Sequence, residues 1–271
     1  MRSFIRWAGS KRLLLGHLRS YWTGTANRYI EPFCGSACLF FDVAPNQGIL
    51  GDLNQELICT FRAIRSNPYL VLESLRRFPR GKAGYYKVRR TSPADLAENE
   101  RAARFLYLNR YCFNGIYRTN GKGEFNVPYG PPKSQRSIDE SLVVAASEAL
   151  AGCLLVNGDF EQTLRHAQPG DFVYLDPPYC LNDRRVFREY LPGSFSVSDL
   201  ERLRVQLERL DAMKISFLIS YADCAEARRL LRSWTTRRVR ARRHIAGFSD
   251  KRRTAYEVIA TNMPLATKKD A

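Results

Sequence analysis

Histidine is scarce in this chain, at three residues of 271, and none of its seven cysteines forms a C-x-x-C pair. No histidine is spaced with a cysteine as a ligand pair, so no metal site is expected. Cys34, Cys38, Cys59, Cys112, Cys153, Cys180 and Cys224 stand singly in apolar contexts and read as reduced, mostly buried thiols. His17, His166 and His244 have no recognisable partner and read as surface or packing residues. No apolar run approaches the roughly 20 residues that span a bilayer. The N-terminal "MRSFIRWAGSKR" lacks the apolar core of a signal peptide, so a cytoplasmic protein with no membrane partner is expected. Acids are also short: 27 Asp plus Glu face 43 Lys plus Arg, a net charge of +16. That balance points to a polyanionic partner, nucleic acid first. The stretch from Arg228 to Arg253 is crowded with arginine and holds one acid, Asp250.

What is present suits a globular enzyme. Hydrophobic residues make up 45% of the chain, enough for a full core, and no repeat, low-complexity segment or linker interrupts it. "RYIEPF" (28–33), "GILGDLN" (48–54), "GCLLVNGDF" (152–160), "DFVYLDPPY" (171–179) and "KISFLISY" (214–221) read as strands. A small-residue turn, "CGSAC", opens a helix after the first of them. From Gln55 to Tyr111 the pattern is helical, with Ser92-Pro93 as a start for the run toward "RAARFLYLNRY". Ser198 and Glu201 have capping-box spacing, and Leu200, Leu203, Leu207 and Leu210 mark one helical face. Residues 109–130 change character. Two Asn-Gly pairs and Gly123 bracket short β-type runs, a hairpin signal. Alternation at both ends of the chain indicates a doubly wound α/β sheet into which the middle segment is inserted.

Two stretches carry chemistry. "IEPFCGSAC" places a small-residue turn between strand and helix, where backbone approaches a ligand at a sheet's carboxyl edge. Asp52, closing the next strand, sits where such folds place an acid for ribose hydroxyls. "DPPY" (176–179) is more specific. Pro177 and Pro178 fix two φ angles and remove two donors, so strand pairing stops at a rigid tip. The exocyclic amine of a nucleobase is a poor nucleophile because its lone pair is delocalised into the ring. A carboxylate from Asp176 and the Pro177 carbonyl can each accept one of its N–H groups, favouring a pyramidal nitrogen. Tyr179 offers a face on which the base can stack, worth about 1–3 kcal/mol against the few kcal/mol spent on leaving the helix.

"FIRWAGSKRLLL", "YIEPFCGSACLFF", "GDLN", "FLYLNRYCFNGIYR", "GEFNVPYG", "NGDF" and "YLDPPY" occur in that order. The ordered set resembles the Dam-type (D12 class, alpha group) site-specific DNA adenine-N6 methyltransferases, over about residues 4–262. The resemblance implies an α/β, Rossmann-like sheet with helices on both faces, formed by 1–54 and 137–271. It also implies an inserted, mainly helical recognition domain with a β-hairpin, 55–136. S-adenosylmethionine is the implied cofactor, with Trp7, Lys11, Phe33, Gly35, Asp52, Asp159, Phe160 and Asp176 at its binding positions. Asp176, Pro177, Pro178 and Tyr179 match the catalytic tetrapeptide. Double-stranded DNA is the implied partner. Phe113, Asn114, Ile116 and Arg118 match base- or backbone-contacting positions, Arg110, Asn120 and Lys122 are further candidates, and Arg252 and Arg253 stand where phosphates could be held. The implied protein is a monomer in solution, with room for more than one copy on DNA, and GATC is a reasonable guess for its site.

Three positions depart from the family pattern. Ala37 stands for a usual second glycine, Cys38 for a common serine and Ser10 for a usual glycine. Small residues are kept, so a changed loop or affinity is expected, with binding retained. Cytosine-N4 methylation is the rival reading, disfavoured because those enzymes more often begin the tetrapeptide with serine. Cytosine carbon-5 chemistry needs a Pro-Cys nucleophile, and no such dipeptide occurs. An RNA substrate and a catalytically silent DNA-binding relative are further alternatives. The duplex-reader hairpin argues against the first, and the intact "DPPY" against the second.

Overall fold

A computed structural model describes residues 1–130, 138–179, 195–242 and 254–264. Cys180, His244, Arg252, Arg253 and the expected 136/137 boundary lie outside the described residues. The described strands are β1 (Tyr29–Glu31), β2 (Gly48–Asp52), β3 (Cys153–Asn157), β4 (Phe172–Leu175), β5 (Ser216–Ala222), β6 (Thr235–Arg242) and β7 (Thr254–Thr261). They form one sheet in the order β3-β2-β1-β4-β5-β7-β6. The first five run parallel, while β7 lies antiparallel between β5 and β6. The described helices are α1 (Leu15–Leu18), α2 (Cys38–Val43), α3 (Gln55–Ser66), α4 (Pro68–Arg76), α5 (Gly81–Arg90), α6 (Glu98–Tyr111), α7 (Glu140–Leu150), α8 (Phe160–Leu164), α9 (Val197–Ala212) and α10 (Ala225–Leu230).

The near-continuous apolar strands are explained by burial on both faces, as helix-covered parallel sheets require. Alternate residues feed two cores. Tyr29, Leu50, Tyr174 and Leu218 join α3, α4, α6 and α7 on one face. Ile30, Ile49, Val173, Leu175 and Ile219 join α8, α9 and α10 on the other. The chain moves outward from β1 to β2 and β3, then returns beside β1 as β4. The crossover direction therefore reverses between β1 and β4, and a crevice opens at their carboxyl ends.

A third cluster underlies the hairpin region: Tyr85, Val88, Tyr107, Leu108, Cys112, Phe125 and Val127. α6 is buried on nearly all sides because it lies between this cluster and the sheet core. Its buried Arg104 donates to the Val88 and Arg89 carbonyls at 3.2 and 2.9 Å, satisfying the C-terminal end of α5. The hairpin itself is a loose one, held by the bridges Cys112↔Tyr129 and Thr119↔Phe125 rather than by long strands.

Two helix starts differ from the sequence reading. Pro93 opens a 3₁₀ turn, Pro93–Asp95; Leu96 and Ala97 are extended, so α6 begins only at Glu98. The capping box of α9 is Ser196 with Asp199, not Ser198 with Glu201. Ser196 accepts from the Asp199 amide at 3.2 Å and donates its own amide to Asp199 at 2.8 Å. Ser198 lies two residues past the cap, already inside the helix. The leucine face holds: Leu200, Leu203, Leu207 and Leu210 are buried.

Candidate active site

At the reversal point, Glu31 ends β1 and Asp176 follows β4. Around them opens a cavity of about 550 Å³. Trp7, Lys11, Phe33, Gly35, Asp52, Asp159, Phe160 and the tetrapeptide Asp176–Tyr179 all line it. Residues scattered from 7 to 179 are thus brought to one crevice by the sheet order.

Its floor is built from backbone. Gly35 has a φ of +45°, and a Cβ there would come within 2.7 Å of the Trp7 indole. Trp7 in turn stacks on Tyr117 of the hairpin at 6.0 Å, linking the two loops. Ala37 is also left-handed, φ +49°, at the N-cap of α2. The usual glycine would sit there without strain, so this alanine costs about 1 kcal/mol of backbone energy. Ser10, another of the departures, accepts from the Ser36 hydroxyl at 3.2 Å and ties the N-terminal segment to the same loop. Burial pushes the Cys38 thiol up to about 11, which leaves it an inert packing residue.

Asp52 is held for a ligand by two amides: Gly35 donates to Oδ2 at 2.9 Å and Asn54 to Oδ1 at 2.8 Å. Burial raises its pKa, against the pull of those two donors. Farther along, Asp159 caps α8, and Phe160 stacks on Phe33 with centroids 5.2 Å apart. Phe195 meets both rings edge-on or tilted. The three make an apolar slot. Arg202 from α9 clamps Asp159 at 2.6 Å, Glu161 at 2.8 Å and Asp199 at 2.9 Å.

The polar centre surrounds Lys11, which is only 5% exposed. Its Nζ lies 2.7 Å from Asp176 Oδ1, donates to the Tyr179 hydroxyl at 3.0 Å and lies 3.7 Å from Glu257 Oε2. Burial works to lower the lysine pKa, but Asp176, Tyr179 and Glu257 outweigh it and raise it above the ordinary value. Asp176 also accepts from Ser220 on Oδ1 at 3.3 Å, and Ser220 pairs with the Tyr174 hydroxyl at 2.9 Å. Burial raises the Asp176 pKa while Lys11 pulls it back. Glu31, lining the same cavity, accepts from Tyr29 at 2.9 Å and is raised well above the ordinary glutamate value, chiefly by burial.

The sequence reading did not assign Glu31, Ser220, Arg202 or Glu257. An acid inside an apolar strand run, as in "AYEVIA", was the available signal for Glu257. Ser220 and Arg202 carried none, since only the tertiary fold brings them near.

The DNA-contact candidates fall outside the cavity. Phe113, Asn114 and Lys122 are exposed, while Arg110, Ile116, Arg118 and Asn120 are partly exposed, all around the hairpin. Arg118 Nε donates to Asn126 at 2.9 Å. Asn120 is used within the turn, its Oδ1 accepting from the Lys122 and Glu124 amides, each at 3.0 Å. Among the described residues, no cluster of His, Cys, Asp and Glu is placed to hold a metal ion. No described helix is long and apolar enough to cross a membrane.

The model of the D12 class N6 adenine-specific DNA methyltransferase family matches residues 7–245. The chain is 36% identical over 271 residues to the type II methyltransferase M1.LlaDCHI of Lactococcus lactis subsp. cremoris, covering 97% of this chain and 95% of that one. It is 30% identical to the type II methyltransferase M.MjaIII of Methanocaldococcus jannaschii, covering 97% and 99%. It is 32% identical to a DNA adenine methylase of Haemophilus influenzae, covering 96% and 93%. A crevice at the sheet's reversal point, the tetrapeptide at its mouth and these likenesses converge: the chain belongs to the D12 class of N6 adenine-specific DNA methyltransferases.

Proposed function

We propose that the chain methylates the exocyclic N6 amine of adenine in a short specific site of double-stranded DNA, taking the methyl group from S-adenosylmethionine and drawing the target base out of the duplex. The cavity fits that donor by chemistry. Asp52 presents a carboxylate fixed by two backbone amides, suited to ribose hydroxyls, and the Gly35 turn leaves room that a Cβ would fill. The Phe33–Phe160–Phe195 slot suits an adenine ring, with Asp159 at its edge. When bound, S-adenosylmethionine supplies an electrophilic methyl carbon on a positively charged sulfur.

The observation that carries the reading is the state of Asp176. Lys11 and Ser220 both engage Oδ1, and no hydrogen bond to Oδ2 is formed among the described residues. Oδ2 is the acceptor for one N6–H and the Pro177 carbonyl for the other. With both hydrogens held, the nitrogen lone pair is directed at the methyl carbon. A donor bound in the cavity would give up its methyl carbon to that lone pair while its sulfur kept the C–S electron pair, and the nitrogen, held by Asp176 and the Pro177 carbonyl, would release its proton to solvent. Tyr179 provides the stacking face for the displaced base. Segment 55–136, with its own cluster beneath the hairpin, is proposed as the recognition insert, and GATC as its site. The enzyme is proposed to act as a cytoplasmic monomer.

Incubating the protein with labelled donor and unmethylated duplex, then digesting to nucleosides, should give N6-methyladenine. N4-methylcytosine as the sole product would replace this reading with the cytosine one. Incorporation by Asp176→Ala equal to wild type would remove the mechanism.

A further inference from the structure

We infer that Glu257 is a positioning residue for this reaction: its carboxylate, rooted in β7, fixes the tilt of the Tyr179 ring before DNA arrives. The inference rests on the proposed adenine methylation. Tyr179 donates its hydroxyl to Glu257 Oε1 at 3.1 Å and accepts from Lys11 at 3.0 Å, while Lys11 also lies 3.7 Å from Glu257 Oε2 and 2.7 Å from Asp176. One ammonium thus bridges the carboxylate that orients the amine and the ring that stacks the base, and Glu257 closes the arrangement from a third element.

Glu257 is suited to this by its backbone. It pairs with Ala222 of β5 and with Val239 of β6, so it is held by ladders on both sides. Tyr179, by contrast, follows two prolines and lies beyond the end of β4, outside the described strands. A ring at such a tip needs side-chain contacts to settle its plane. Tyr221 supplies an edge-on contact at 5.2 Å, and Glu257 supplies a charged acceptor for the hydroxyl. Burying a carboxylate at 5% exposure is costly, and an apolar pair of the same shape would serve packing alone as well or better. The charge therefore serves more than packing: it offsets the buried Lys11 ammonium and gives the Tyr179 hydroxyl a fixed acceptor.

The test uses two near-isosteric variants that leave the fold's packing in place, Glu257→Gln and Tyr179→Phe, and their double. Single-turnover methyl transfer to adenine and donor affinity by calorimetry are read in parallel. Each single variant should slow transfer about tenfold, the scale of weakening one charge-assisted hydrogen bond. The double should be no slower than the slower single, because both remove the same contact. Donor affinity should stay within about threefold, since the contact acts on the base platform. A Glu257→Gln rate equal to wild type, effects that multiply in the double, or a loss of donor affinity matching the loss of rate would each overturn the inference. A wild-type protein that transfers no methyl to adenine would instead sink the underlying functional reading, and this one with it.

Discussion

In the proposed transfer Asp176 carries the most chemistry, and its surroundings set its pH behaviour. It must be ionised to accept from the amine. Burial raises its pKa and Lys11 opposes that rise. Below the folded pKa the carboxylate is protonated and transfer fails, so the acid limb of the rate profile should lie above the range of a free aspartate. Lys11→Met removes the opposing cation and should move that limb to still higher pH; a limb moving downward would contradict the assignment. Asp176→Asn, which keeps the shape and loses the charge, should lower kcat by about a hundredfold or more, as for other preorganised polar groups at a reacting centre. Gly35 makes a second residue-scale case. Gly35→Ala would drive a methyl into the Trp7 ring and keep a left-handed φ that alanine resists. Donor affinity by calorimetry should weaken at least about tenfold, near 1.4 kcal/mol, while the melting temperature falls modestly.

At the scale of elements, the hairpin and α9 give separate tests. Arg118 is held by Asn126 on the hairpin flank, a geometry suited to presenting a guanidinium to a base edge. Arg118→Ala should relax discrimination at one base pair by about 1–3 kcal/mol if it reads guanine, measured by competition between cognate and single-mismatch duplexes. Asn120→Ala should act differently. Its side chain organises the turn from 120 to 124, so its loss should weaken binding to all duplexes without changing their ranking. The cap of α9 is a structural counterpart: Ser196→Ala should cost about 1 kcal/mol in urea denaturation, and Ser198→Ala much less. A larger loss from Ser198→Ala than from Ser196→Ala would return the cap to Ser198.

At the scale of the whole molecule, charge and buried acids set two further expectations. With a net charge of +16, duplex binding should fall steeply with salt for cognate and non-cognate sites alike. A salt-independent affinity would mean that the excess lysine and arginine face away from DNA. Glu31 sits buried with its pKa raised above the unfolded value. Its contribution to stability is therefore fully present below the unfolded glutamate pKa and is lost as pH rises through the folded one. Glu31→Gln should flatten that part of the urea-midpoint profile; an unchanged profile would show that Glu31 does not govern it.

Much of this was readable along the chain, because the strand runs, the leucine stripe of α9 and the tetrapeptide are local patterns with local causes. The sequence by itself determined the five parallel strands, though not the antiparallel pair β6 and β7, and that two prolines stop β4 at a carboxylate. It also determined the family, through motifs whose order survives in the linear text. Only the tertiary structure decided which acids and hydroxyls meet. Lys11, Asp176, Tyr179, Ser220 and Glu257 are joined because β4 returns beside β1 and β7 inserts antiparallel next to β5, a pairing that no local pattern encodes. The cap of α9 and the late start of α6 were likewise settled by which amides lacked partners, a question of backbone geometry that residue spacing alone leaves open.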